Sequence, residues 1–100
     1  MIGAYTELVI NVTEMRKWVS EMHKETLLEN IDRIHTTEMG VGRIQRNLGI
    51  DDEPVGYCIA KLKKENSVVK KEGKNYYVEA DDCIITINSS SFTIITAHTS

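Results

Sequence analysis

His35 and His98 are the side chains of this 100-residue sequence best suited to moving protons, and groups suited to a phosphate accompany them. Metal-free cleavage of a phosphodiester needs a base for the ribose 2′-hydroxyl, an acid for the leaving oxygen, and cations or donors for the phosphate. On that scheme His35 and His98 exchange the protons, with Glu79 as a lesser proton carrier. Arg43 and Arg46 hold phosphate oxygens in a bidentate fork, and Thr96 orients the phosphate. Thr86 donates a further hydrogen bond, Lys74 adds a cation, and Tyr77 stacks on a base. Each residue also has a plain structural role open to it. Threonines suit strands, His35 precedes Thr36-Thr37 in a capping turn, and the arginines balance an acidic helical half.

Other chemistries lack their signatures. The sequence holds no phosphate loop, dinucleotide fingerprint, His-x-x-x-His pair or Gly-x-Ser-x-Gly elbow, so neither a metal nor a cofactor is expected. Cys58 and Cys83 sit singly in apolar patterns, which fits buried thiols in a reducing compartment. The start, Met1-Ile2-Gly3-Ala4-Tyr5, resembles no signal peptide, and no apolar run reaches the roughly 20 residues that span a bilayer. A cytoplasmic chain without membrane contact is the expectation. Net charge is −3, which disfavours a dedicated nucleic-acid binder. Lys61, Lys63, Lys64, Lys70, Lys71 and Lys74 nevertheless form a basic strip able to track a polyanion.

These groups must be positioned by one domain, since 100 residues support a single modest core. Its parts are an extension with a helix over 1–25, helices over 26–65, and an antiparallel sheet over 67–98. In the first part Val12, Met15, Trp18, Val19 and Met22 recur at helical spacing, with Asn11 and Glu14 as a capping box. That stripe predicts a buried Trp18. Residues 4–10 suit either a strand or a further helical turn. Thr26 with Glu29 predicts a second helix start, Val41, Ile44 and Leu48 mark a third helix closed by Gly49, and Asp51 or Asp52 caps a fourth at Pro54.

After Asn66 the period becomes two. Ser67–Lys71 reads as a short edge strand, and "NYYVEADDCIITINSSSFTIITAH" reads as three strands. A two-residue turn at Asp81-Asp82 and a three-residue loop at Ser89–Ser91 oppose Val78 with Ile85, and Ile85 with Ile95. One face then collects Tyr76, Val78, Ala80, Cys83, Ile85, Ile87, Thr93, Ile95 and Ala97. The other holds Tyr77, Glu79, Ile84, Thr86, Asn88, Phe92, Ile94, Thr96 and His98. The fold class is α+β, with the helical half packed on one face of the meander and the mixed face open.

The blocks "IHTTEMGVGRIQRNL" and "GKNYYVEADDCIITINSSSFTIITAH" resemble a small family of uncharacterised bacterial proteins over roughly residues 27–98. A helical half with His and Arg, followed by a meander ending in "IITAH", is more distantly similar to the barnase–EndoU–colicin–RelE superfamily of ribonucleases. Many of those are metal-independent toxins. That resemblance implies RNA as partner and places His35, Arg43, Thr96 and His98 at the catalytic positions. The acidic net charge departs from it. The rival expectation is a non-catalytic module that binds a protein partner, as antitoxins and phage counter-defence inhibitors do, with Tyr77, Phe92 and Ile94 as anchors. A homodimer through open faces or edge strands is a third arrangement.

Overall fold

Asn11 opens the first helix by accepting a hydrogen bond from the Glu14 N–H at 2.9 Å, which satisfies a donor the first turn leaves free. The computed structural model describes residues 11–100; the ambiguous stretch 4–10 lies outside the described residues. Helix α1, Val12–Glu29, is continuous through the second expected start. There the Thr26 hydroxyl donates to the Met22 carbonyl at 3.1 Å, so it bonds within the helix instead of capping a new one. A 3₁₀ turn, Ile31–Arg33, follows. Helix α2, Glu38–Leu48, is capped by Thr37 and stopped by Gly49, whose φ of 66° favours glycine. Helix α3, Pro54–Leu62, is capped by Glu53 and not by Asp51 or Asp52: its carboxylate accepts from the Val55 and Gly56 N–H groups at 3.0 and 2.6 Å.

The strands β1 (Val68–Glu72), β2 (Asn75–Ala80), β3 (Cys83–Asn88) and β4 (Ile94–Thr99) form an antiparallel meander in chain order. The edge strand lies one residue later than its expected span. Asp81-Asp82 is the two-residue turn, and Val78 opposes Ile85 as the alternation requires.

The last hairpin corrects the expected register. Ile85 opposes Ala97, not Ile95, while Ile87 pairs with Ile94 and Thr86 with Thr96. Ile95 is thus an extra residue, a β-bulge, and two residues of β4 face one of β3. The connection is also longer than three residues. The Asn88 carboxamide accepts from the Ser90 and Ser91 N–H groups, and Phe92 takes a left-handed φ of 60°. Phe92 and Ile94 are consequently buried and cannot anchor a partner, whereas Ile95 is 40% exposed.

Thr93, expected on the core face, is half-exposed between buried Phe92 and Ile94, while the face assignment holds along β2 and β3 and at Ala97. Tyr76, Val78, Cys83, Ile85, Ile87 and Ala97 join Leu27, Ile34, Ile44, Cys58 and Leu62 in one core between the helices and a single face of the sheet. Each fully buried aliphatic side chain there contributes about 1.5–3 kcal/mol. Tyr77, Glu79, Ile84, Thr86, Thr96 and His98 share the opposite face.

Trp18 overturns its expectation. Only the C-terminal half of α1 is held to the body, by buried Leu27, by Lys24 Nζ donating to the Lys64 carbonyl at 2.7 Å, and by Ser20 Oγ accepting from the β1 Val69 N–H at 2.9 Å. Val12, Met15, Trp18, Val19 and Met22 remain largely uncovered by the body, and Trp18 is 60% exposed. The same periodicity marks a stripe for the core or a stripe for a partner. Here it faces outward. Ile87→Ala should therefore cost about 2–5 kcal/mol in chemical denaturation, while Trp18→Ala costs less than about 1 kcal/mol. Comparable losses would place Trp18 in the core.

Candidate functional site

The segment His35-Thr36-Thr37 is where the helical half meets the sheet. The His35 N–H donates to the Phe92 carbonyl at 3.2 Å and its carbonyl accepts from the Ile94 N–H at 2.7 Å, so His35 forms a parallel bridge to Thr93. The Thr36 hydroxyl donates to the Ile94 carbonyl at 2.9 Å, and Thr37 caps α2. Gly40 is buried where any side chain would strike Thr36 Oγ1.

His35 itself is exposed but bonded at both ring nitrogens. Nδ1 lies 2.7 Å from the Arg33 carbonyl, which can only accept, so Nδ1 carries a proton. In the neutral ring Nε2 is then the acceptor, 3.1 Å from Thr93 Oγ1. Thr93 Oγ1 is 2.7 Å from Ser91 Oγ, which also reaches Asn88 Oδ1 at 3.2 Å. The Arg33 guanidinium covers the Phe92 ring at 4.6 Å and donates to the Ser90 carbonyl. This is an oriented base beside a chain of hydroxyls with a cation near it. Among the described residues no carboxylate bonds to His35, and its bonds equally brace the loop before β4.

The open sheet face gathers a second group of the expected residues. Lys70, Tyr77, Thr86 and Thr96 lie in one cross-strand row, and Val68, Glu79, Ile84 and His98 in the next. Asn47, from α2, donates to Thr96 Oγ1 at 3.4 Å. His98 is exposed, its Nδ1 3.0 Å from the Thr99 carbonyl. His98 pairs with Ile84 while His35 bridges Thr93, so the two histidines stand about 16 Å apart along β4, five residues at roughly 3.3 Å each. At that spacing the two do not flank a single phosphodiester as the base and acid expected from the sequence.

Arg43 is exposed on α2, one turn before Asn47. Arg46 folds back over Gly42 and lines a shallow cleft with Gln45, Gly49 and Asp51. Lys74 sits in the β1–β2 turn, where its carbonyl accepts from the Ser89 N–H at 2.8 Å, at the same end of the sheet as His35. The expected site residues therefore divide among the His35 end, the open face and the outside of α2. Arg33, Ser91, Thr93 and Asn47 were not singled out by sequence, and Asn88 was placed only on the mixed sheet face. Asn88-Ser89-Ser90-Ser91 carried the one usable signal, an Asx-type turn.

The basic strip is largely occupied. Asp81, in the β2–β3 turn, accepts from Lys64 at 2.6 Å, Lys61 at 2.9 Å and Asn66 at 3.3 Å. Lys70 lies 3.5 Å from Glu79, and Lys71 stands over the Tyr76 ring. Bonds from Lys64 and then Lys61 hold the Asp81 carboxyl well below the usual carboxylate range. Burial pushes the Cys58 thiol up to about 12, which leaves it a packing group and not a nucleophile. Both cysteines are free and buried, and no cluster of metal-binding side chains occurs among the described residues. No helix of the described residues is long and apolar enough to cross a membrane.

The exposed stripe of α1 holds five of the large apolar side chains exposed among the described residues. Val12, Met15, Val19 and His23 also line a groove against Val68 and Val69 of β1. Residues 28–98 match the family described as "Protein of unknown function (DUF3781)", and the chain belongs to that family. The match begins at the end of α1 and takes in the 3₁₀ turn, α2, α3 and the whole sheet, so the stripe precedes it. No curated protein and no solved structure matches the chain.

Two measurements check this geometry. Nitrogen-15 spectra should show neutral His35 as the Nδ1–H tautomer; an Nε2–H form would contradict the Arg33 contact. Asp81 has a folded pKa below its unfolded value, so its stabilising contribution is full above about pH 4 and is lost as pH falls through the folded value. Asp81→Asn should flatten the fall in unfolding midpoint on that acid limb. An unchanged acid limb would mean the lysine contacts do not persist in solution.

Proposed function

We propose that the chain is a non-catalytic protein-binding module that docks through α1, the class of activity found in antitoxins and counter-defence inhibitors, and that it works in the cytoplasm. The observation that carries this reading is the stripe itself. Val12, Met15, Trp18, Val19 and Met22 are each 47–65% exposed on one side of one helix. Trp and Met are enriched at interface cores, and a contiguous stripe of this kind marks an interaction surface. The body beneath α1 has its own core and does not require those side chains. The open sheet face is a poorer candidate, because Tyr77 and Ile84 are half-buried and Ile95 stands among polar neighbours.

The test replaces Met15 and Met22 together by Glu. The body should keep its thermal midpoint within a few degrees, while docking is lost. Docking is read from Trp18, the single tryptophan, by its emission maximum and acrylamide quenching. A double variant that unfolds the body would show that the stripe belongs to the fold and would end this reading.

A second reading rests on the His35 end: metal-independent cleavage of RNA in the manner of the barnase–EndoU–colicin–RelE ribonucleases, as a toxin or mobile-element component. What favours it is the His35 Nε2 acceptor held against the Thr93 hydroxyl with the Arg33 guanidinium nearby. His35 would act as base and Arg33 would steady the phosphate. Purified protein incubated with total RNA in EDTA should then yield cyclic phosphate ends, and His35→Ala should lower the rate about 10²–10⁴-fold. Intact RNA at high protein concentration removes this reading.

A further inference from the structure

We infer that the exposed seam of α1 takes a second copy of this chain, in a parallel two-helix pair. The inference rests on the reading of α1 as a docking surface and specifies the occupant. Val12, Met15, Val19 and Met22 follow a three-four-three spacing, which is the a/d seam of two successive heptads. A seam of that period is complementary to an identical helix, because each knob meets the hole its own neighbours make. The same spacing continues upstream in the sequence through Leu8 and Tyr5.

Three further features favour a parallel copy. β-Branched valine occupies both a positions of these heptads, as in two-stranded parallel pairs, with Met15 and Met22 at d where leucine is the usual partner. In that register Trp18 of one copy flanks His23 of the other, and Asn11 flanks Arg16, so no like charges oppose each other beside the seam. An antiparallel pair would instead bring Arg16 toward Arg16 of the second copy.

The body leaves room for this arrangement. Ser20, Lys24 and Leu27 bind α1 to the body from a direction roughly 130° around the helix from the seam, at 100° per residue. The seam also borders the groove against Val68 and Val69 of β1, so a second helix at the seam packs beside β1 on the side away from Ser20, Lys24 and Leu27. The exposed side chains supply on the order of 500 Å² per copy, so the pair buries at most about 1,000 Å², below the standard size of specific interfaces and in the range of weak ones. Such a contact makes a reversible dimer whose population follows concentration.

Sedimentation from about 1 μM to about 1 mM tests it. The mass should rise from 11.3 kDa toward twice that value, with the Trp18 emission shifting to shorter wavelength over the same concentrations. The Met15→Glu, Met22→Glu double variant should remain monomeric with the dilute spectrum. Val12→Cys should form an intermolecular disulfide under mild oxidation, since parallel packing sets the two positions side by side. Cys58 and Cys83 are buried and contribute little background.

A monomer throughout the range overturns the inference. So does a dimer that leaves Trp18 unchanged or survives the double variant, because its contact then lies elsewhere, such as the free edge of β4. A dimer without the Val12→Cys cross-link overturns the parallel arrangement. If the wild type stays monomeric while the double variant keeps its thermal midpoint, only the second-copy assignment falls and α1 remains a docking surface for another protein.

Discussion

The backbone bridge between His35 and Thr93 is the contact on which the arrangement of both halves depends. Beside the Ser20 bond to β1 and the lysine bonds to Asp81, what sets one half upon the other is an extended stretch, His35 to Thr37, hydrogen-bonded to the chain at Phe92 and Ile94. Thr36 secures the stretch to β4, and Thr37 turns it into α2 within one residue. Gly40 then lets the helix approach, and Ile44 enters the core one turn later. A side chain at position 40 would strike Thr36 Oγ1 and disturb its bond to the Ile94 carbonyl, so the bridge and the glycine act together.

The same bridge explains the irregularity of β4. To meet His35, the chain leaving β3 must make a five-residue connection in place of three, and Asn88 holds that connection by accepting two backbone donors. Phe92 adopts a left-handed conformation that costs on the order of 1–2 kcal/mol for a residue with a Cβ. Its ring is buried and lies under the Arg33 guanidinium, and that burial offsets the backbone cost. The bulge at Ile95 then restores the alternation, so that Ala97 returns to the core and Thr96 and His98 to the open face. Ser91, Thr93 and His35 are bonded to one another as a consequence of this path. Their hydrogen-bond chain has a structural origin whether or not it has a chemical use.

Much of the fold was legible because period two and period 3.6 are imposed by backbone geometry and leave their mark wherever one face is buried. The α+β division, β2 and β3 with their turn, and the inward set Tyr76, Val78, Cys83, Ile85 and Ile87 all followed from alternation. Alternation failed from Phe92 to Ile95, since a bulge shifts the phase and three consecutive β-formers, Thr93-Ile94-Ile95, give no signal of where. The candidate site was less legible still. Residue types put His35 and His98 in one scheme, but sequence carries no distance between a helix-side segment and the far end of β4. The roles of Arg33 and Asn88 were not legible because they depend on a loop conformation that only the bridge creates.

Trp18 shows why an amphipathic pattern is an incomplete statement about function. A stripe of apolar residues records that one side of a helix avoids water in the working state, and it does not record what excludes the water. For α1 the body answers half of the question, at Ser20, Lys24 and Leu27, on a side of the helix that is not the most apolar. The more apolar side is left to something outside the described fold. The division follows the family match: residues 28–98 carry the His35 bridge and the core, and the helix ahead of them carries an apolar stripe that this body leaves largely exposed.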